Sequence, residues 1–462
     1  MKRLFIGRKK ELNELEARYR SGRKEFGVIY GRRRIGKSAI ITHFLKDKSG
    51  LLFQAKRDNA YGNLRSFSYE VDKLCNLPKS FVFSSWEEAF DAVSEHTNGQ
   101  RFVLAIDEYP YIVEQDSSFS SIVQSFIDRA GENIMLILSG SDVSFFKDEI
   151  SDHSSPLYKR RTFEMPIERL PFNEALEFVN DFPKEIRCSY LALMSTYPYY
   201  LAAIDHSLSF DENVQRLLFD QYGTFFTLPD QLLSNSTQIQ DVYNAIMVAI
   251  AHRRTTIKSI ADYIHEDDAK VSKYLSTLLA SELVVKQHTF MGNKKTNYYV
   301  IGDPLLKFWY AFIFENQERI RLNGGYVFNE NADKISDFIC REFENVSRLY
   351  LGHCNASGRL PDLFPSVQSY KVEKSALGRS VEIDGLAMTK RYLLVVECKY
   401  RNTLFDMSML RHLKESASVF PDKLERVYCI FSKSGFTEEV KAMQDNNICL
   451  LYTSDAADDR IS

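Results

Sequence analysis

A short apolar run, FGVIY at residues 26–30, leads directly into GRRRIGKS at 31–38 and then into the helix-favouring SAIITHFLK. No other stretch limits the fold as severely. The run is a buried-strand pattern, and the octapeptide fits G-x-x-x-x-G-K-[ST] in the strand–loop–helix setting that a phosphate-binding loop needs. Gly31 permits the turn out of the strand, and Gly36 lets the backbone approach a phosphate with no Cβ in the way. The amides of Arg32, Arg33, Arg34 and Ile35, aided by the start of the next helix, are placed to wrap a β-phosphate. Lys37 is placed to reach the β- and γ-oxygens, and the Ser38 hydroxyl to sit on Mg2+. The expected ligands are ATP and Mg2+.

Such a loop needs an acidic partner strand, and RFVLAIDEY at 101–109 supplies one. Its apolar run delivers Asp107 and Glu108 to the C-terminal end of a parallel strand, where ligands bind in open α/β sheets. Asp107 suits the hold on Mg2+, and Glu108 suits the group that orients an attacking water. A further strand, NIMLILSGS at 133–141, ends in hydroxyl residues. Either Ser139 or Ser141 fits a polar sensor beside the acids, and a plain strand-ending turn fits equally. With GLLFQAK at 50–56 as one more strand, the alternation predicts a P-loop α/β core over 1–165.

With 44% hydrophobic and 26% charged residues, the 462-residue chain belongs to the globular class and is long enough for several domains. A net charge of −3 gives no global attraction for nucleic acid, so any such surface is local. Apolar runs such as IMLIL and IMVAIA are too short to span a bilayer, and MKRLFIGRKKEL has no signal-peptide core. Seven cysteines without CxxC pairing and nine histidines without ligand spacing point to reduced thiols, no zinc site and a cytoplasmic protein.

FIGRKKEL, GRRRIGKS, SWEEAF, IDEYPYI, LILSGSDVSFF and SPLYKRRT follow one another along the chain. In that order they resemble the archaeal-type P-loop ATPases, an AAA-related group close to the STAND signalling NTPases. The resemblance covers nearly the whole chain. It implies that Phe5, Gly7 and Arg8 lie near the adenine, and that Arg160 and Arg161 match the family's arginine pair, both candidates for a charge on the γ-phosphate side of the same or a neighbouring chain. STYPYYLAAI resembles the family's GGxPYYL turn, with Ser195 and Thr196 in place of the two glycines, which puts close backbone approach there in doubt. DPLLKFWYAFI resembles the packing helix that comes later in the family.

Residues 166–230 read as short amphipathic helices, expected to form a helical lid, and the turn-rich PDQLLSNSTQ marks its boundary. Over 236–302, three helical patterns and two strand patterns spell a winged helix-turn-helix. Lys270 and Lys273 on its third helix, with Lys294 and Lys295 at the wing tip, suit DNA phosphates. Glu266, Asp267 and Asp268 open that same helix and oppose DNA, and domains of this shape also serve as protein–protein modules.

The last third, 328–452, turns on EIDGLAMTKRYLLVVECKY. In a strand, Glu397 and Lys399 share one face. A turn with Lys390 and Arg391 at its tip sets Asp384 opposite Glu397. Burying such charges unpaired costs several kcal/mol each, on the order of the desolvation penalty, and a divalent cation between the acids removes that cost. D-x(n)-E-x-K is the restriction-endonuclease-like signature, in which two acids hold Mg2+ and the lysine positions or activates a water. A C-terminal domain of this kind is common in the resembled family, whose upstream Phe-Glu pair matches Phe343 and Glu344. The ordinary alternative is a salt-bridge cluster on a strand pair. CLLYTSDAADDRIS resembles a translated sequencing adapter, and the tail 453–462 is expected to be disordered.

The expectation is an α/β multidomain chain: a P-loop ATPase sheet, a helical lid, a winged helix-turn-helix and a restriction-endonuclease-like domain. It would act as a Mg2+-dependent ATPase and nucleotide switch, with DNA bound or cut at the C-terminal site. The alternative is a regulatory ATP switch whose nuclease-like domain is inactive and only binds DNA or protein. No membrane partner is expected, and a homo-oligomer is left open.

Overall fold

The computed structural model describes residues 5–75, 81–153, 155–232, 237–288, 290, 298–372, 375, 378–444 and 448–452. It separates into two compact units, Met1–Leu170 and Pro171–Ser462. In the first, strands β1 Glu25–Tyr30, β2 Gly50–Gln54, β3 Phe102–Asp107, β4 Ile134–Gly140 and β5 Phe163–Pro166 form one parallel sheet in the order β2-β3-β4-β1-β5. Its helices are α1 Lys9–Arg20, α2 Lys37–Leu45, α3 Ala60–Cys75, α4 Trp86–His96, α5 Pro110–Val113, α6 Phe119–Arg129 and α7 Val143–Ser151. Every residue of β1, β3 and β4 is buried. Strands covered on both faces read as continuous apolar runs without alternation, which is how FGVIY, FVLAI and IMLIL look in the sequence.

An aromatic cluster fixes α3, α4 and α6 beside the sheet. The Trp86 ring lies 5.1 Å from Phe67 and 4.7 Å from Phe119, and Phe90 lies 4.8 Å from Phe126. Burying each such ring is worth roughly 1.5–3 kcal/mol. On the other flank β5 approaches β1 so closely that a Cβ on Gly27 would stand 1.9 Å from the Phe163 ring. The strand order has one consequence for the site: β4 separates β1 from β3, so the end of β4 falls between the phosphate loop and the acidic pair.

The second unit begins with five short helices, α8 Phe172–Leu176, α9 Lys184–Met194, α10 Pro198–Leu201, α11 Phe210–Leu218 and α12 Leu228–Leu232. Then come α13 Thr237–Ala251, α14 Ile257–Ile264 and α15 Asp268–Ala280, followed by the antiparallel pair β6 Val284–Gln287 and β7 Tyr298–Ile301. Lys294 and Lys295 lie outside the described residues. Lys270 and Lys273, the other lysines assigned to DNA, both lie on α15, and Lys270 is ion-paired with Glu266 at 2.6 Å. Helix α16 Pro304–Phe312 is anchored by buried polar bonds, Tyr200 to Asp303 at 2.7 Å and Trp309 Nε1 to the Phe226 carbonyl at 2.9 Å. Helix α17 Gln317–Glu330 kinks at Asn323, and α18 Ala332–Ala356 follows.

The C-terminal sheet runs β12-β11-β10-β9-β8, with β8 Gln368–Val372, β9 Val381–Met388, β10 Tyr392–Lys399, β11 Glu425–Ser432 and β12 Ile448–Tyr452. Strands β8, β9 and β10 are antiparallel neighbours, whereas β10, β11 and β12 are parallel. Helix α19 Met407–Ala417 makes the crossover between β10 and β11, and α20 Glu438–Lys441 precedes β12. Alternation on β10 divides the packing. Leu393 and Val395 join Leu410 and Leu413 of α19 in one core, while α18 brings Phe343 and Tyr350 against Phe431 of β11, at 6.5 and 6.1 Å.

Candidate functional site

The phosphate loop leaves β1 at Tyr30 and enters α2 at Lys37. Gly36 has φ 101°, and a Cβ on Gly31 would stand 2.4 Å from the Ile167 carbonyl oxygen, so both positions need glycine. Arg34 also adopts a left-handed conformation, with φ 66°. Lys37 is buried, and its ammonium donates to the Gly31 carbonyl at 2.7 Å and to the Arg32 carbonyl at 3.2 Å. Burial lowers its pKa, opposed by the charges of Glu108 and Asp107 and assisted by Arg33. The lysine thus folds back on its own loop within electrostatic reach of the acidic pair.

Asp107 is the centre of the site. Its Oδ2 accepts from the Ser38 hydroxyl at 2.5 Å, and its Oδ1 from the Ser139 hydroxyl at 2.8 Å. Ser139 can do this because β4 is the intervening strand. Glu108 takes a left-handed backbone conformation, φ 55°, and its Oε2 accepts from the Ser141 N–H at 3.3 Å and hydroxyl at 3.0 Å. The strained geometry turns consecutive acids to different partners, as functional sites often do. Ser139 and Ser141, offered by the sequence as alternatives, divide the two acids between them.

Three other arginines carry expectations from the sequence. Arg8 is buried, with its guanidinium bonded to Glu11, to the Ile35 carbonyl and to the Glu168 carbonyl, each at 2.8 Å. It ties the start of α1 to the phosphate loop. Phe5 stacks on His43 of α2 at 4.1 Å. Arg161 is ion-paired with Glu164 at 3.1 Å, and Arg160 with Asp128 at 3.1 Å. The adjacent Thr162 N–H bonds the Phe26 carbonyl, at the entry of β1. The loop leaves β1 four residues later, about 13 Å along the strand. Because β5 pairs in register from the entry of β1, Arg161 stands at the opposite end of the sheet from the phosphate loop of its own chain.

In the second unit the β9–β10 hairpin runs Leu393 with Met388 through Val396 with Gly385, and Thr389 donates to the Tyr392 carbonyl across the tip. Lys390 and Arg391 therefore form the turn. Past Gly385 the ladder ends, and Asp384 Oδ2 accepts the Cys398 N–H at 2.8 Å. On the opposite edge of β9 the register with β8 shifts, from Gln368–Leu386 to Tyr370–Ile383. This bulge re-aims Asp384, and no local sequence signal except Gly385 marks it. Lys399 Nζ contacts Glu397.

Helix α18 adds two residues. Arg348 donates to the Asp384 carbonyl at 3.1 Å and stands 3.8 Å from Glu344. Burial, then the Asp384 charge, push the half-buried Glu344 up to about 7. Burial and Asp384 likewise push Glu397 up to about 7 against the pull of Lys399. Burial raises Asp384 as well. Burial alone would lower Lys399, but Glu397 and Asp384 together carry it above its ordinary value. Carboxylates that resist ionisation in one place are a common mark of functional sites. Among the described residues no group of three or more His, Cys, Asp or Glu is arranged to hold a metal ion. Asp384 and Glu397, the acids expected to hold a cation, lie within electrostatic reach of each other, with Arg348 a neighbour the sequence reading missed.

Among the described residues no helix is long and apolar enough to cross a membrane. Residues 5–190 match an ATPase domain predominantly from Archaea, and residues 309–414 match archaeal and bacterial proteins of unknown function. The chain is similar to an uncharacterized protein of Methanocaldococcus jannaschii, 26% identical across 97% of this chain and 99% of that one. A segment of 45 residues, 10% of this chain, is 40% identical to an uncharacterized ATP-binding protein of the same organism and spans 76% of it. Among solved structures the chain is similar to a Walker-type ATPase of Pyrococcus abyssi, with a TM-score of 0.52 and 20% identity over 66% of this chain and 96% of that one. That likeness concerns the fold. Taken together with the loop and acid geometry, these matches assign the chain to the archaeal-type P-loop ATPases, with a C-terminal domain of unknown function.

Proposed function

We propose that the first unit binds ATP with Mg2+ and hydrolyses it, so that the chain works as a nucleotide switch. The observation that carries this reading is the double grip on Asp107 by Ser38 of the phosphate loop and Ser139 of β4. The donor set fits the ion, because Ser38 and Asp107 offer hard oxygens side by side. Mg2+ would be held there and would neutralise charge on the β- and γ-phosphates. Lys37 would exchange its loop carbonyls for phosphate oxygens, and Glu108 would orient the attacking water and draw its proton.

For the second unit the proposal is a restriction-endonuclease-like domain that binds or cleaves DNA. It is supported by the order of α18, the β8–β10 meander, crossover helix α19 and parallel β11, and by Asp384 within β9 and Glu397 near the end of β10. Asp384 and Glu397 would hold a divalent cation that polarises a scissile phosphate, with Lys399 positioning water. The helices and hairpin over 236–302 would be a winged helix-turn-helix adding DNA or protein contact. A second reading, an inactive nuclease-like domain, draws on the Lys399–Glu397 contact, which pairs that charge without any cation.

The test is one set of assays on wild type, Lys37→Ala and Lys399→Ala, measuring Mg2+-dependent phosphate release and DNA cleavage. ATP hydrolysis is expected to vanish in Lys37→Ala alone, and cleavage in Lys399→Ala. Phosphate release that persists in Lys37→Ala refutes the ATPase reading. Cleavage undiminished in Lys399→Ala refutes the nuclease reading, and its absence in wild type favours the inactive domain.

A further inference from the structure

Two guanidinium groups meet on one phenol at the C-terminal rim of the first sheet. Arg33, from the phosphate loop, donates to the Tyr111 hydroxyl at 2.6 Å. Arg57, just beyond β2, lies 4.9 Å from the centre of the same ring. Among the described residues neither arginine has a carboxylate partner. Arg33 is partly buried and Arg57 is exposed, so an anion arriving at this rim meets both positive charges.

The position is built into the fold. Gln54 of β2 pairs with Asp107 of β3, and the Ala55 N–H bonds the Asp107 carbonyl. Arg57 therefore leaves β2 just past the level of the acids. The Asp58 N–H bonds the Lys56 carbonyl at 2.8 Å, which sets Arg57 at the apex of a tight turn. Asn63 of α3, fully buried, clamps that turn by accepting the Lys56 N–H at 2.9 Å and donating to the Lys56 carbonyl at 3.0 Å. Tyr111 is just as fixed, since its N–H bonds the Glu108 carbonyl at 3.0 Å. The Arg33 charge is felt at Lys37. The paired cations thus stand beside the lysine and the acids, at the end of the sheet that Arg161 does not reach.

We propose that Arg33 and Arg57, aligned by Tyr111, form the recognition point for the terminal phosphate of a nucleoside triphosphate, with Arg57 the cation supplied within the same chain. This rests on the ATP-binding reading above and adds to it the source of discrimination between triphosphate and diphosphate. Tyr111 is a positioning residue: its hydroxyl aims Arg33 and its ring seats Arg57. An arginine is suited to the task because its planar fork makes two charge-assisted bonds to one phosphate.

The test is calorimetric titration of the full chain with ADP and with adenylyl imidodiphosphate, each with Mg2+, for wild type, Arg57→Ala, Arg57→Lys and Tyr111→Phe. Arg57→Ala is expected to weaken the triphosphate analogue about tenfold or more, the worth of a lost charge-assisted bond, and to leave ADP within about twofold. Arg57→Lys should recover part of the loss, and Tyr111→Phe should give a smaller loss confined to the analogue. Equal losses for both nucleotides, or none for either, overturn the assignment of Arg57 while leaving the ATP reading in place. Wild type that takes up neither nucleotide overturns both.

Discussion

Ser141 presents two donors, its backbone N–H at 3.3 Å and its hydroxyl at 3.0 Å, to a single oxygen of Glu108. Glu108 is thereby held by β4 and not by its own strand. Ser141→Ala removes the shorter bond and keeps the other. The expected result is a fall in kcat of about tenfold, one net hydrogen bond to a charged group, with KM nearly unchanged because the loop is intact. Steady-state kinetics of phosphate release decide it, and a change in KM alone would contradict the role.

Arg161 is the negative control. Its partner is Glu164, and both side chains are partly exposed. Surface pairs of this kind contribute roughly 0–1 kcal/mol. Arg161→Ala should therefore leave kcat within about twofold and lower the melting temperature slightly. A large loss of activity at protein concentrations that exclude association would show that the β5 register does not set its role.

Glu344 of α18 and Glu397 of β10 tie stability to pH. Glu344 and Glu397 titrate near 7 when folded and near 4.3 when unfolded. Between those values the folded chain binds more protons than the unfolded one, so this part of the stability falls as pH rises and is lowest above pH 7. Glu397→Gln should melt closer to wild type at pH 5 and higher than wild type at pH 8. Mg2+ should raise the wild-type melting temperature at pH 8 and have less effect in the variant. Parallel melting curves for the two proteins across this range would rule out the cluster as the source.

Gly31→Ala tests the approach of the loop to β5. The added methyl would stand 2.4 Å from the Ile167 carbonyl oxygen. Backbone cannot yield as a side-chain tip can, so a loss of about 1–3 kcal/mol is expected, as for overpacking, read by denaturant unfolding of the first unit.

What the sequence disclosed, it disclosed through local rules. The loop at 31–38 is contiguous and its conformation is set by two glycines. Strand alternation puts Glu397 and Lys399 on one face, and the observed pairing of Leu393 with Met388 is the register set by a tip at Lys390–Arg391. The rest depended on partners far away in the chain. Nothing near Arg161 says which end of β1 its strand will meet. Nothing near Arg57 says that β2 borders β3, and only that neighbour puts it beside Tyr111. Arg348 looks like any helix arginine until the bulge in β9 turns the Asp384 carbonyl towards it. As hydroxyls at a strand end, Ser139 and Ser141 were equal candidates; the strand order assigns each its own acid.

Arg8 bonds the Ile35 carbonyl and the Glu168 carbonyl with one nitrogen. A residue at the front of the chain and another near the end of the first unit are thus stitched to the same turn. Fragments trimmed at either margin would lose a seam of the loop along with the trimmed peptide. A short excised version of this unit should therefore fail to take up nucleotide even where its sheet still forms.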